Sequence, residues 1–146
     1  MVPPVSERHQ GIEAELLYLL RPAAKRLGLK IRTDTGVFAA DDDYRVPDLV
    51  VFSDEARSKR GVDGSPALAV EVRSPRDESF DKLPWYLERG ATEVLIIDRD
   101  DLSLALYRSS GLVDAQSDGS VVLLSLGVRL SPADGNLLVD GVALDL

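Results

Sequence analysis

Residues 44–52 read YRVPDLVVF, and residues 66–98 read PALAVEVRSPRDESFDKLPWYLERGATEVLIID. Three aliphatic runs stand out: Leu49 to Phe52, Ala67 to Val72 and Val94 to Ile97. Each is short and bounded by Pro, Gly or charge, which is the pattern of strands covered on both faces. Between the second and third runs, Glu78 to Arg89 is expected to be helical, with Gly90 ending the helix. Pro84 is tolerated there near the helix start or at a kink.

Two of these strands carry an acid in a costly place. Asp48 stands at the mouth of the first run, and Glu71 lies between Val70 and Val72. A carboxylate inside an aliphatic strand is unfavourable unless it is paired or binds a metal. The two acids are 23 residues apart, enough for a strand, a loop and a neighbouring strand. On adjacent strands they could point to one side and share a hard divalent cation, with the Val72 carbonyl as third ligand. Such a cation polarises a phosphodiester and helps form hydroxide. A nearby lysine would orient the water and offset charge. Arg73 stands two residues after Glu71, but a guanidinium stays protonated and cannot act as a base. Lys82, on the following helix, could bring an ammonium to the strand end, with Tyr86 one turn further on in support.

Simpler readings exist for each residue. Asp48 after Pro47 could be a turn or cap residue. Lys82 is four residues after Glu78, the favourable spacing for a surface ion pair. Tyr86 could simply pack, and Trp85 suits a core or an interface. Glu71 has no comparably bland alternative.

Outward from this stretch, the chain begins with a loose lead-in holding two prolines. Ser6 then offers an N-cap, with Glu7 in the first helical turn. Ile12, Leu16, Leu19, Ala23 and Leu27 mark one apolar helix face, and Pro22 should kink or break it. His9 and Glu15 flank that stripe and could look toward a sheet edge. Leu29 to Thr33 and Gly36 to Ala40 look like two arms of a strand or hairpin. The triplet Asp41, Asp42, Asp43 lacks the ligand alternation and Gly of a calcium loop and reads as a solvated turn. Tyr44 to Phe52 reads as one strand. Residues 53–66 read as a polar loop with one helical turn around Glu55 to Ser58. Leu102 to Arg108 is a further strand. The tail, with Val121 to Leu126, Val128 to Leu130 and Leu137 to Val139, suggests an antiparallel extension closing one side of the sheet.

The chain has 146 residues, 45% hydrophobic and 29% charged, and reads as one α/β (α+β) domain over 1–146. There is no Cys and one His, which excludes disulfides, Cys nucleophiles and the usual structural zinc sites, and fits a reducing cytoplasm. No signal-peptide pattern opens the chain, and no apolar run suits a membrane. The formal charge of −8, from 25 acidic and 17 basic residues, counts against a nonspecific nucleic-acid binder. It does not exclude a nuclease, whose metal site itself needs acids.

RVPDLVVF, LAVEVRSP and DKLPWYLERGATEVLIID together resemble the Uma-two (Uma2) family of restriction-type endonucleases, within the PD-(D/E)XK nuclease superfamily. The likeness runs from the SERHQGIEAELLYLL helix to the closing strands. It implies an α-β-β-β-α-β core with a mixed sheet, Mg²⁺-dependent phosphodiester cleavage (Mn²⁺ as a substitute), and a homodimer acting on nucleic acid, DNA foremost. By position, Asp48 and Glu71 match the acidic pair, Lys82 matches the lysine displaced onto the helix, and Arg73 occupies the superfamily's usual lysine position. A helix-one acid or His contributes in some members, which here points to Glu15 or His9. The alternatives are a nuclease fold kept as a catalytically inactive binding or regulatory module, and a small-molecule phosphoesterase.

Overall fold

The computed structural model describes residues 6–74 and 79–146. Ser6 caps the first helix, its Oγ accepting the His9 amide at 3.1 Å. Helix α1 (Glu7–Arg26) then continues through Pro22 without a break there. Pro22 and Tyr18, whose carbonyl loses its helical donor, both lie on the exposed face. The buried stripe is Ile12, Glu13, Leu16, Leu20, Ala23 and Ala24. Leu27, expected in the stripe, lies past the last turn and is exposed, and Leu19 is only partly buried.

Strands follow as β1 (Lys30–Thr33), β2 (Val37–Ala40), β3 (Asp43–Arg45) and β4 (Leu49–Phe52). After a one-turn 3-10 helix at Asp54–Ala56 come β5 (Val62–Asp63), β6 (Leu68–Arg73), helix α2 (Ser79–Glu88), β7 (Glu93–Asp98) and β8 (Leu104–Arg108). The chain closes with β9 (Gly111–Leu112), β10 (Val121–Leu123), β11 (Val128–Ala133), β12 (Asn136–Val139) and β13 (Val142–Ala143). Glu78, the expected start of the second helix and partner of Lys82, lies outside the described residues.

The main sheet is mixed, in the order β1-β4-β6-β7-β8-β9. β6 and β7 are parallel and joined through α2, while the other neighbours are antiparallel. Side chains alternate between two buried faces. Leu49, Val51, Leu68, Val70, Val72, Leu95 and Ile97 pack with Leu16 and Leu20 of α1. Val50, Phe52, Ala69 and Val94 pack with Tyr86 of α2. Each fully buried Leu contributes about 2 kcal/mol by leaving water.

The two arms expected to form one strand or a hairpin, β1 and β2, do not pair. β1 pairs with β4 in the main sheet, whereas β2 pairs with β3 and β5 in a small second sheet. The single strand expected from Tyr44 to Phe52 is also divided. Pro47 cannot donate a ladder hydrogen bond, so β3 ends before it and β4 begins after Asp48 in a different sheet. Gly61 permits the parallel β2–β5 contact, since a Cβ there would meet the Gly36 carbonyl. The small sheet is tied to α2 by Trp85, whose Nε1 donates to Asp43 Oδ1 at 2.9 Å under the Arg45 guanidinium.

The tail forms its own antiparallel sheet, β10-β11-β12-β13, and completes the α1-side core with Leu123, Leu130 and Leu137. Glu93 anchors it. This buried carboxylate accepts hydrogen bonds from Arg108 Nε, the Leu124 and Ser125 amides and Ser125 Oγ, at 2.7–3.1 Å. Glu93→Gln turns an NH₂ toward one of these donors, so unfolding in urea should show a loss of about 2 kcal/mol. An unchanged midpoint would mean that apolar packing alone holds the tail. Among the described residues no helix is long and apolar enough to cross a membrane.

Candidate active site

β4 and β6 run antiparallel with Leu49 opposite Val70, so the next step in the register sets Asp48 beside Glu71. Asp48 is fixed from two directions. Its Oδ2 accepts the Val72 amide at 2.7 Å, and its Oδ1 lies 3.2 Å from His9 Nε2 on α1. Burial raises the Asp48 carboxyl above its ordinary value, while the Val72 amide and His9 oppose that shift.

Glu71 faces α2 and is only 3% exposed. The Tyr86 hydroxyl donates to its Oε1 at 2.8 Å, and Lys82 Nζ lies 3.6 Å from its Oε2. Tyr86 and Lys82 are four residues apart on one helix, so one face of α2 delivers both. Burial, then the Glu71 charge, pushes the Tyr86 hydroxyl far up, so it stays protonated and remains a donor. Lys82 is one-third exposed, reaching the carboxylate from the solvent side.

A third acid joins from α1. Glu13 is 3% exposed, and its Oε2 lies 3.5 Å from His9 Nε2, with no hydrogen-bond partner among the described residues. Its carboxyl is pushed up to about 8, first by burial and then by the charges of Asp34 and Asp48. The ligand atoms of His9, Glu13 and Asp48 all lie within 4.8 Å of one another, close enough to hold one ion. Sequence reasoning did not single out Glu13. The signal was present, because His9 and Glu13 are four apart and continue the stripe of Leu16 and Leu20.

A family model described as "Putative restriction endonuclease", Uma2, matches residues 1–134. The chain belongs to the Uma2 family. This Uma2 chain is also similar in structure to a crystal structure titled as a "putative nuclease belonging to DUF820" from Anabaena variabilis ATCC 29413. The TM-score is 0.69 at 20% identity, over 86% of this chain and 76% of the other. That likeness establishes the restriction-endonuclease-like fold. A search of curated proteins finds no match.

The Uma2 chain thus brings together Asp48, Glu71, Lys82, Tyr86 and His9, with the Val72 peptide bound to Asp48 through its N–H. Two expected residues stand apart. Glu15 lies about 200° around the helix from Glu13 and accepts the Asp145 amide at 2.8 Å, so it ties down the C-terminus. Arg73 shares the sheet face of Glu71 but turns outward, its guanidinium 5.1 Å from the Phe80 ring and 3.9 Å from Asp98 Oδ2.

Proposed function

We propose that this protein is a divalent-metal-dependent endonuclease that hydrolyses phosphodiester bonds in nucleic acid, DNA foremost. The observation that carries this reading is the placement of Asp48. It stands between the His9–Glu13 pair of α1 and Glu71 of β6, which is held by Lys82 and Tyr86 of α2, at the end of the sheet.

The donors suit a hard cation. Glu13 has a buried oxygen with no hydrogen bond among the described residues, next to two further ligand atoms, and such an oxygen is costly unless an ion or proton occupies it. Asp48 and Glu71 would hold the ion, with the Val72 carbonyl and Glu13 as further oxygen donors. Mg²⁺ fits this oxygen-rich set, and Mn²⁺ better tolerates the His9 imidazole. When bound, the metal polarises the phosphodiester and acidifies an attacking water.

The protein's own groups do the positioning. The Val72 amide and His9 hold Asp48 in one orientation. Tyr86 holds Glu71 by donating to one oxygen. Lys82 orients the water for in-line attack on phosphorus and offsets negative charge in the transition state. Arg73, beyond the acids, stabilises charge without serving as a base. We place the protein in the cytoplasm, as one domain over 1–146 that works as a homodimer, the assembly its family resemblance implies.

Calorimetric titration with Mg²⁺ and Mn²⁺, paired with plasmid cleavage, tests this reading. Saturable binding and cleavage abolished by EDTA are expected. No binding at any concentration would overturn it and favour the inactive nuclease-fold module, which the net charge of −8 also suits.

A further inference from the structure

Two clefts open side by side along edge strand β1, and they share Arg32. The first, of about 160 Å³, is lined by Arg21, Lys25, Lys30 and Arg32, together with Leu29 and Ile31. The second, of about 350 Å³, adds Arg57, Lys59 and Arg60 from the loop after β4, with Asp34 as its one carboxylate. Seven of the 17 basic residues therefore gather on one band of a protein whose net charge is −8.

Charged residues on an open edge strand also discourage pairing with another chain. That role does not require Arg57 and Lys59, from a separate loop, to converge on the same band. Nor is the band neutralised along its length. Arg60 is engaged by Asp41 and Asp63, and so shapes the loop. Arg57 stands 4.0 Å from Asp54; among the described residues Arg32 donates only to the Ile31 carbonyl and Lys59 has no ion-pair partner.

The band leads to the acid cluster. The Asp34 amide, at the end of the second cleft, donates to the Asp48 carbonyl at 3.2 Å. Four residues of β1 span about 13 Å, the rise of roughly four nucleotides in one strand. A row of cations of that length, ending at acids proposed to hold a metal, matches a polyanion with regularly spaced charges.

We propose that the band along β1, from Lys30 and Arg32 to Arg57 and Lys59, is the track that grips the phosphate backbone of the nucleic acid next to the cleaved bond. This rests on the nuclease reading above and names the surface by which substrate is held. The contacts are to phosphates, so they position the strand without reading its sequence.

The test is fluorescence anisotropy in EDTA, so that binding is read without metal or cleavage. The probes are a short labelled DNA duplex and its single strand, titrated between 50 and 200 mM salt. The variant Arg32→Ala/Arg57→Ala/Lys59→Ala removes three exposed side chains that make no core contacts. It is expected to bind at least about tenfold more weakly at low salt, with the slope of log affinity against log salt reduced by about 2. The charge-preserving variant Arg32→Lys/Arg57→Lys/Lys59→Arg should restore most of both. Should the triple variant fold poorly by circular dichroism, Lys59→Glu alone is expected to lower the slope by about 1. An unchanged slope, no binding by wild type, or a loss seen with anionic lipid vesicles but not with DNA would overturn the proposal. Cleavage by wild type with an unchanged slope would overturn the track alone. A reduced slope in a protein that never cleaves would leave the track standing and remove the catalytic reading.

Discussion

Glu71→Gln should lower plasmid cleavage by on the order of a thousandfold, with little loss of fold. The amide keeps the shape of the carboxylate and can still accept from Tyr86. It loses the charge that faces Lys82 at 3.6 Å and that would hold the metal. Lys82→Ala should cost on the order of a hundredfold or more, since it removes the ammonium and leaves the acids in place. The informative comparison is Arg73→Ala. Arg73 occupies the strand position two residues after Glu71, yet it turns toward Phe80 and Asp98. Its loss should change the rate by less than about tenfold, as for a residue that offsets charge without touching the reacting atoms. Single-turnover rates with supercoiled plasmid measure all three. If Arg73→Ala is the inactive variant and Lys82→Ala cleaves normally, the lysine has been assigned to the wrong element.

Glu13→Gln should make the metal-free protein more stable, and by more at higher pH. A buried acid whose carboxyl is pushed up to about 8 folds most readily when protonated. Between the unfolded value of 4.5 and about 8, the folded state binds more protons than the unfolded one, so stability falls as pH rises. Below that window the penalty is absent, and above it the penalty is constant. Replacing Glu13 by the neutral isostere removes it. Urea unfolding in EDTA should therefore show little difference between variant and wild type near pH 4, and a gain on the order of 3 kcal/mol near pH 8.5. In saturating Mn²⁺ the order should reverse, because a ligand that binds the folded state stabilises only the protein able to hold it. A variant equally stable to wild type across the whole range would mean that the Glu13 oxygen finds solvent in the absence of metal.

Both predictions concern one site, but its parts were not equally visible in the chain. Glu71 could be read directly, because an acid between Val70 and Val72 contradicts the run that contains it. Lys82 and Tyr86 followed from helical spacing once α2 was placed. The dense aliphatic runs of β4, β6 and β7 were legible for a similar reason, as burial on both faces leaves little room for polar residues. Glu13 was legible only as a position on the stripe, not as a member of the site. Its stripe neighbours Leu16 and Leu20 declare a buried face, but an acid at the margin of such a face usually reaches solvent. Only the closure of Asp48 and His9 over it decides otherwise. The pattern offers Glu15 or His9 as the helix-one residue; His9 meets Asp48, whereas Glu15 flanks the stripe on the side that accepts the Asp145 amide.

The pairing of strands divides in the same way. Local composition placed β1, β2, β4, β6, β7, β8 and β12 within two residues, but it missed the short strands β5, β9 and β13 and grouped β1 and β2 as two arms of one strand or hairpin, a pairing that does not form. Adjacent strands in a chain are natural partners, but β1 gains more by lying against β4, where Ile31 is covered by α1. Glu93 shows the same limit. Nothing near it in sequence announces that residues 124 and 125 will close on its carboxylate from more than thirty positions away.

By itself the sequence determined the two helices, the strands β4, β6, β7 and β8, the family, and Glu71 as a charge where charge is expensive. Those follow from local periodicity and from the cost of burying a carboxylate. The tertiary structure alone decided which acids meet. The antiparallel register of β4 on β6 sets Asp48 beside Glu71, and the docking of α1 turns His9 and Glu13, not Glu15, toward them. The same packing gathers cations from α1, β1 and a distant loop along one edge. Convergence of this kind depends on contacts between residues far apart in the chain, and local pattern carries no record of them.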